Sequence, residues 1–302
     1  MQRILDIFVA ALPSTLEQGL IYAVLALGIL ITYTILNFPD LTVDGSFPLG
    51  GAISTTLILH GWQPLPALLL AALAGALAGL CTGLIHVKLK VRDLFSGIIM
   101  MTALYSINLR ITGGLSLLTL DRKSPTLFRN NAVADALPRQ LSVLIIALFI
   151  VMALKLLLDA FLKTRAGYLL RATGDNKNVV TALARDEGNI KIAGLMLANA
   201  LVAMAGAIFC QQQRLFEVSM GTGMMVLGLA SVMIGINLFK RMEFVKNTTA
   251  VIVGAIIYKI CYAFAISCGL QPSDLKLVTS LLFLGVLSAG LLRKGGKQHA
   301  GA

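Results

Sequence analysis

The chain has 302 residues, 57% of them hydrophobic and only 13% charged, with a mean hydropathy of +0.86. A soluble domain carries about a quarter charged residues, so most of this chain sits in a solvent that penalises charge. The net charge of +11 does not indicate a nucleic-acid binder. Most of the 25 Lys and Arg residues fall at 88–92, 155–191, 240–246 and 293–297, between apolar segments, and these regions alternate with poorly charged connections. That is the positive-inside pattern, which predicts that all four regions, and the C-terminal tail, face the cytoplasm.

Residues 2–12 are apolar but too short to span, and read as an interfacial helix ahead of Pro13. A long apolar run, Thr15 to Leu36, is the first expected span. It is followed by the polar break Asn37-Phe-Pro-Asp-Leu-Thr-Val-Asp-Gly-Ser46. Phe47–Leu59 is then too short for an ordinary crossing, which needs about 20 residues, and reads as a broken or kinked second helix. Further spans are expected at 66–86, 94–112, 140–161, 192–212, 221–239, 248–267 and 275–292. No strand-like alternation of a membrane barrel is present. The fold class is therefore all-α: one polytopic helical bundle over 1–302 with about nine spans. Gly75, Gly79 and Gly83 share one helix face and predict a close packing seam. The connection 113–139 is long enough to hold short helices that a soluble partner could touch.

Reactive constellations are missing from the sequence. There is no Gly-x-x-x-x-Gly-Lys-Ser/Thr loop for binding ATP phosphates, no cofactor fingerprint, and no nucleophile–base pair. The four cysteines form no Cys-x-x-Cys pair, and the three histidines lie far apart. An enzyme, a metal centre or a bound cofactor is not indicated.

Two regions carry the functional reading. At the break, Asp40 and Asp44 would each cost about 2.5–3.5 kcal/mol at membrane depth unless they face a bundle interior or a watery path. Their i, i+4 spacing would place both on one helix face, with Asn37, Thr42 and Ser46 adding hydrogen-bonding groups. They either line a substrate path or cap helix ends and anchor the break. Asn108, within a span, is a further path candidate, although interhelical bonding is the default for it and for Asn199. Lys259, inside the run 248–267, would snorkel or pair with an acid. The second region is the basic loop 163–191. Gly174 could end one short helix and Asp175 cap another over 176–186, with Gly188 stopping it. Asn176 would open that helix, and Val179, Val180, Ala182 and Leu183 would give it a small apolar face. It is either a docking element for another subunit or a solvated connector.

The loop residues Gly167, Leu170, Arg171, Ala172, Gly174, Asp175, Asn176 and Ala182 resemble the cytoplasmic coupling segment of ABC permeases of the branched-chain amino acid and ribose class. Gly19-x-x-Tyr-Ala-Val-Leu-Ala-Leu-Gly28 is similar to the same class. Phe38-Pro-Asp-Leu-Thr-Val-Asp-Gly-Ser46 resembles a narrower subgroup of tryptophan or tyrosine importer permeases. The chain departs from the Asn-Phe-Ala-His-Gly that branched-chain permeases carry at the break. The resemblance implies a type II-like importer permease in a bacterial-type inner membrane. It also implies a second permease copy as homodimer partner, two ATPase subunits and an extracytoplasmic substrate-binding protein. The expected function is the translocation path for a small solute, an amino acid of aromatic type if the narrower subgroup holds. The alternative is an ion-coupled secondary transporter with Asp40 and Asp44 at the ion.

Overall fold

The computed structural model describes residues 2–136, 138, 141–175, 186–240, 242, 244–269 and a few positions between 274 and 285. Helix α1 runs Gln2–Ile29 and passes into a π-helical stretch, Leu30–Ile35. It is followed by α2 (Val43–Leu59), α3 (Pro64–Lys88) and α4 (Asp93–Ile111). A short strand β1 (Leu117–Thr119), a single-turn α5 (Ala132–Asp135) and α6 (Ser142–Leu162) come next. Then follow α7 (Arg165–Asp175), α8 (Glu187–Gln213), β2 (Leu215–Glu217), a 3₁₀ turn (Val218–Gly221), α9 (Met224–Phe239) and α10 (Asn247–Ser267). Among the described residues, seven helical segments are long and apolar enough to cross a membrane. The expected span at 275–292 lies largely outside the described residues.

The segment 2–12 is not a separate interfacial helix, because α1 continues straight through Pro13. Proline removes one backbone donor and normally interrupts a helix. Here the Ser14 and Thr15 hydroxyls both donate to the Ala11 carbonyl, at 2.9 and 2.8 Å, adding hydrogen bonds around that turn. In lipid, hydroxyl side chains are a recognised way of tolerating such a proline.

Helix α8 forms the bundle's axis and packs on α3, α2 and α1, while α1 also packs on α10, α6 and α9. The glycine seam is present. A Cβ at Gly75 or Gly79 would collide with the α8 carbonyl oxygens of Asn199 or Leu195, and one at Gly83 would press on Ile192. On the outer side of the same helix, Leu69, Leu73 and Leu77 are exposed, as they would be towards lipid. Helix α2 is short but central: most of its 17 residues are buried. At 1.5 Å per residue it reaches about 25 Å, slightly less than a hydrocarbon core.

Two ends of the bundle can be told apart. At one, the ends of α1, α3 and α6 meet the starts of α4, α8 and α10. Asp159 of α6 accepts from Lys246 (3.0 Å), Lys155 (3.5 Å) and the Thr248 hydroxyl (2.7 Å), tying α6 to α10. Val87 of α3 packs on Gly188 of α8. The described residues of the basic regions 88–92, 155–191 and 240–246 thus converge on one end. At the other end β1 pairs antiparallel with β2, Leu118 opposite Phe216. Arg214 strengthens this tie, its guanidinium donating to the Asp121 and Ser124 carbonyls.

Candidate functional site: the helix break and the basic end

The break begins where the π-helical stretch exhausts α1. Leu36 N–H reaches back to the Ile31 carbonyl at 2.9 Å, and Phe38 N–H to Thr32 at 2.8 Å. Exposed Asn37 then adopts φ 52, a left-handed turn that asparagine tolerates better than most residues. The chain reverses, and α2 runs back into the bundle.

Asp40 precedes α2, so it does not share a helix face with Asp44; the i, i+4 expectation fails because the helix starts only at Val43. Asp40 is 1% exposed. Its carboxylate accepts the Thr42 amide at 2.9 Å and the Asn199 side-chain amide at 2.8 Å. Asn199, midway along α8, also accepts the Ser46 hydroxyl at 2.7 Å. One asparagine therefore joins both sides of the break to the central helix. Thr42 completes the fixation through the Thr82 hydroxyl of α3, 2.8 Å away.

Asp44, half-buried in the first turn of α2, does a different job. Its carboxylate accepts the amides of Gly223 (3.0 Å) and Met225 (2.8 Å), which open α9. After β2 the chain dips into the bundle, so that Gly221 packs on the Asp44 carbonyl and Pro48. Helix α9 therefore starts inside the bundle, and its positive N-terminus is met by a carboxylate. Asn108 of α4 donates to the Gly45 carbonyl at 3.2 Å. Its amide oxygen is buried with no hydrogen-bond partner among the described residues.

Lys259 snorkels to neither end. Its ammonium sits 3.3 Å from the Gln18 side-chain oxygen and over the ring of Tyr22, 4.0 Å from the centroid.

At the basic end, α7 wedges between α6, α8 and the end of α1, with Leu170 and Thr173 buried. Gly174 does not end this helix, which continues to Asp175. A Cβ at Gly174 would strike the Ile35 carbonyl at the end of the π-helical stretch. Leu170 and Leu36 close together over Gly194 of α8. The expected helix over 176–186, with Asn176, Val179, Val180, Ala182 and Leu183, lies outside the described residues. Gly188 does not stop a helix but lies in the first turn of α8, whose N-cap Asp186 accepts its amide at 2.9 Å. Beside α7 lies a cavity of about 680 Å³, bordered by Thr34, Ile35, Asp159, Arg171, Asp175 and Lys246.

Comparison with known proteins fits this architecture. The family described as branched-chain amino acid transport system / permease component matches residues 12–287. The chain belongs to this permease family. It is 43% identical to a tyrosine transport system permease protein of Clostridioides difficile, over 92% of this chain and 91% of the relative. It is 30% identical to an uncharacterized protein of Rickettsia prowazekii, over 92% of this chain and 97% of that one. A ribose import permease protein of Escherichia coli is 26% identical over 73% of this chain and 67% of its own length. No solved structure is matched significantly.

Sequence reasoning missed three features of this permease: the π-helical end of α1, the inward dip before α9, and Asn199 as the link across the break. The Gly221-Thr-Gly223 sequence was a usable signal for the second, since glycines at the first and third positions of an apolar run permit a tight inward turn. Here Gly223 takes φ 86.

Proposed function

We propose that this permease is the membrane-spanning subunit of an ATP-driven importer, and that two copies enclose a translocation path for an amino acid. Two ATPase subunits would dock at the basic end, and a binding protein at the opposite one. The 43% identity to a tyrosine permease makes tyrosine the first solute to test. The basic end would face the cytoplasm of a bacterial-type inner membrane, following the distribution of Lys and Arg, and the C-terminus would lie there too.

One observation carries the coupling reading. Gly174 of α7 packs on the backbone of Ile35 and Leu36, the last residues before the break, and Leu170 joins Leu36 over Gly194. A push on the loop after Asp175 therefore has a backbone-to-backbone route to Asn37 and onwards to Asp40 and Thr42. In this reading Asp175, Asn176, Val179, Val180, Ala182 and Leu183 meet the ATPase. The break lines the path: Asp40 and Ser46 are held on Asn199, Asp44 is held on α9, and Asn108 brings its unpartnered oxygen. The alternative, an ion-coupled carrier, would place its ion at Asp40 and Asp44, whose carboxylates each already accept two protein N–H groups.

The test is purification of the solubilised permease, expressed with its neighbouring genes, followed by an ATPase assay on what co-purifies. A P-loop ATPase should be recovered, and charge reversal within 175–182 should release it or uncouple hydrolysis from uptake. A lone protein that transports in liposomes without ATP would replace this reading with a secondary carrier.

A further inference from the structure

We propose that Lys259 is the permease's intramembrane receptor for the carboxylate of its solute, held open by Gln18 and the rings of Tyr22 and Tyr262. The assignment rests on the amino-acid reading above and adds to it the group that meets the solute's negative end. Lys259 is the thirteenth residue of the 21-residue α10 and is 5% exposed. From there either helix end is about 12–18 Å away along the axis, beyond the reach of a lysine stem. The ammonium instead turns inward, over Tyr22 at 4.0 Å and Tyr262 at 4.7 Å.

Its surroundings are unlike those of the paired lysines. Lys155 and Lys246 each pair with Asp159, and Lys191 pairs with Glu187. Among the described residues no carboxylate lies within 4.0 Å of Lys259; its one hydrogen-bond acceptor is the neutral Gln18 oxygen at 3.3 Å. A buried charge normally survives because it is paired, and leaving one unpaired is costly. Ring faces attract the cation without neutralising it, so the ammonium is fixed in place with no carboxylate beside it among the described residues. A carboxylate arriving here breaks no existing ion pair.

Access and continuity agree with that role. Gln18 and Tyr262, which both contact the ammonium, are themselves only half-buried on α1 and α10. On its other side Tyr22 stacks on Phe47, with centroids 6.3 Å apart and planes 8° from parallel. Phe47 directly follows Ser46, so the lysine site and the break are two ends of one aromatic-lined contact. Tyr22 is also the tyrosine of the Gly19-x-x-Tyr-Ala run, for which the break alone supplies no use.

The permease, with its co-purified ATPase and binding protein, is reconstituted in liposomes and assayed for uptake of radiolabelled L-tyrosine and, in parallel, of D-ribose. Lys259→Met should assemble normally and lose about tenfold or more of tyrosine uptake, the scale of a lost hydrogen bond to a charged group. Gln18→Glu supplies the missing carboxylate from within; it should raise the melting temperature of the complex and also suppress tyrosine uptake. A structural lysine predicts the same stabilisation with uptake intact. Wild-type rates of tyrosine uptake in either variant overturn the assignment and leave the transport reading standing. Wild-type protein that imports ribose and not tyrosine removes the amino-acid reading and the role of Lys259 with it.

Discussion

At the scale of single residues, the break is held by a few side chains with more than one bond each. Asn199 donates to Asp40 and to the Leu195 carbonyl while accepting from Ser46. Truncating it to alanine takes the partner from one oxygen of the buried Asp40 carboxylate and from the buried Ser46 hydroxyl, while the Thr42 amide keeps the other oxygen. A lost bond to a charged group typically costs about 1.5–3 kcal/mol, and Asn199→Ala should lower stability by at least that much. Asp44→Ala removes only a helix cap, typically about 1 kcal/mol, so it should unfold nearer to wild type. Melting curves of the two variants in detergent give the comparison, and equal losses would mean that Asn199 is not the main anchor. If the break also lines the path, Asp44→Ala should slow uptake more than its small stability loss accounts for.

At the scale of elements, the seam between α3 and α8 is the part of the fold most dependent on absent side chains. A Cβ at Gly79 would meet the Leu195 carbonyl oxygen, which belongs to a helix backbone and cannot rotate away. Gly79→Ala should therefore cost about 1–3 kcal/mol or more, as overpacking does. Leu77→Ala, two residues away on the exposed face, should change the melting temperature little. Comparable losses in the two would place lipid contact rather than helix approach in control of stability. This seam was readable from the sequence because three glycines at a spacing of four have few other uses in an apolar run. The full-length apolar helices were readable for a similar reason: length and hydropathy alone define them. The passage from α1 into the break was not. A π-helical turn has no residue signature, and Pro13 argued for a helix start where tertiary packing and two hydroxyls carry the helix through. The roles of Asp40 and Asp44 were half-readable. Two carboxylates beside a span signal an internal site, but their partners come from α8 and α9, more than 150 residues away.

At the scale of the whole molecule, charge and packing point to the same axis. The loop 88–92, the region 155–191 and the connection 240–246 are far apart in sequence, yet the fold gathers their described residues on one end, with Asp159 bound to both Lys155 and Lys246. The opposite end is closed by the β1–β2 pair and the Arg214 guanidinium. If the basic end faces the cytoplasm, α1 starts outside and each successive long helix alternates, with α2 counting as a full return despite its 17 residues. A cysteine-free variant carrying one new cysteine at a time tests this directly. Phe244, fully exposed at the basic end, and Lys90 should resist a membrane-impermeant maleimide in intact cells and react after lysis. Trp62, 48% exposed between α2 and α3, should react without lysis. The reverse pattern would turn the bundle over and remove the ATPase docking face from α7. Labelling of position 37, in the exposed turn before α2, from the same side as Trp62 would mean that α2 does not cross, leaving the short helix re-entrant and one crossing fewer in the bundle.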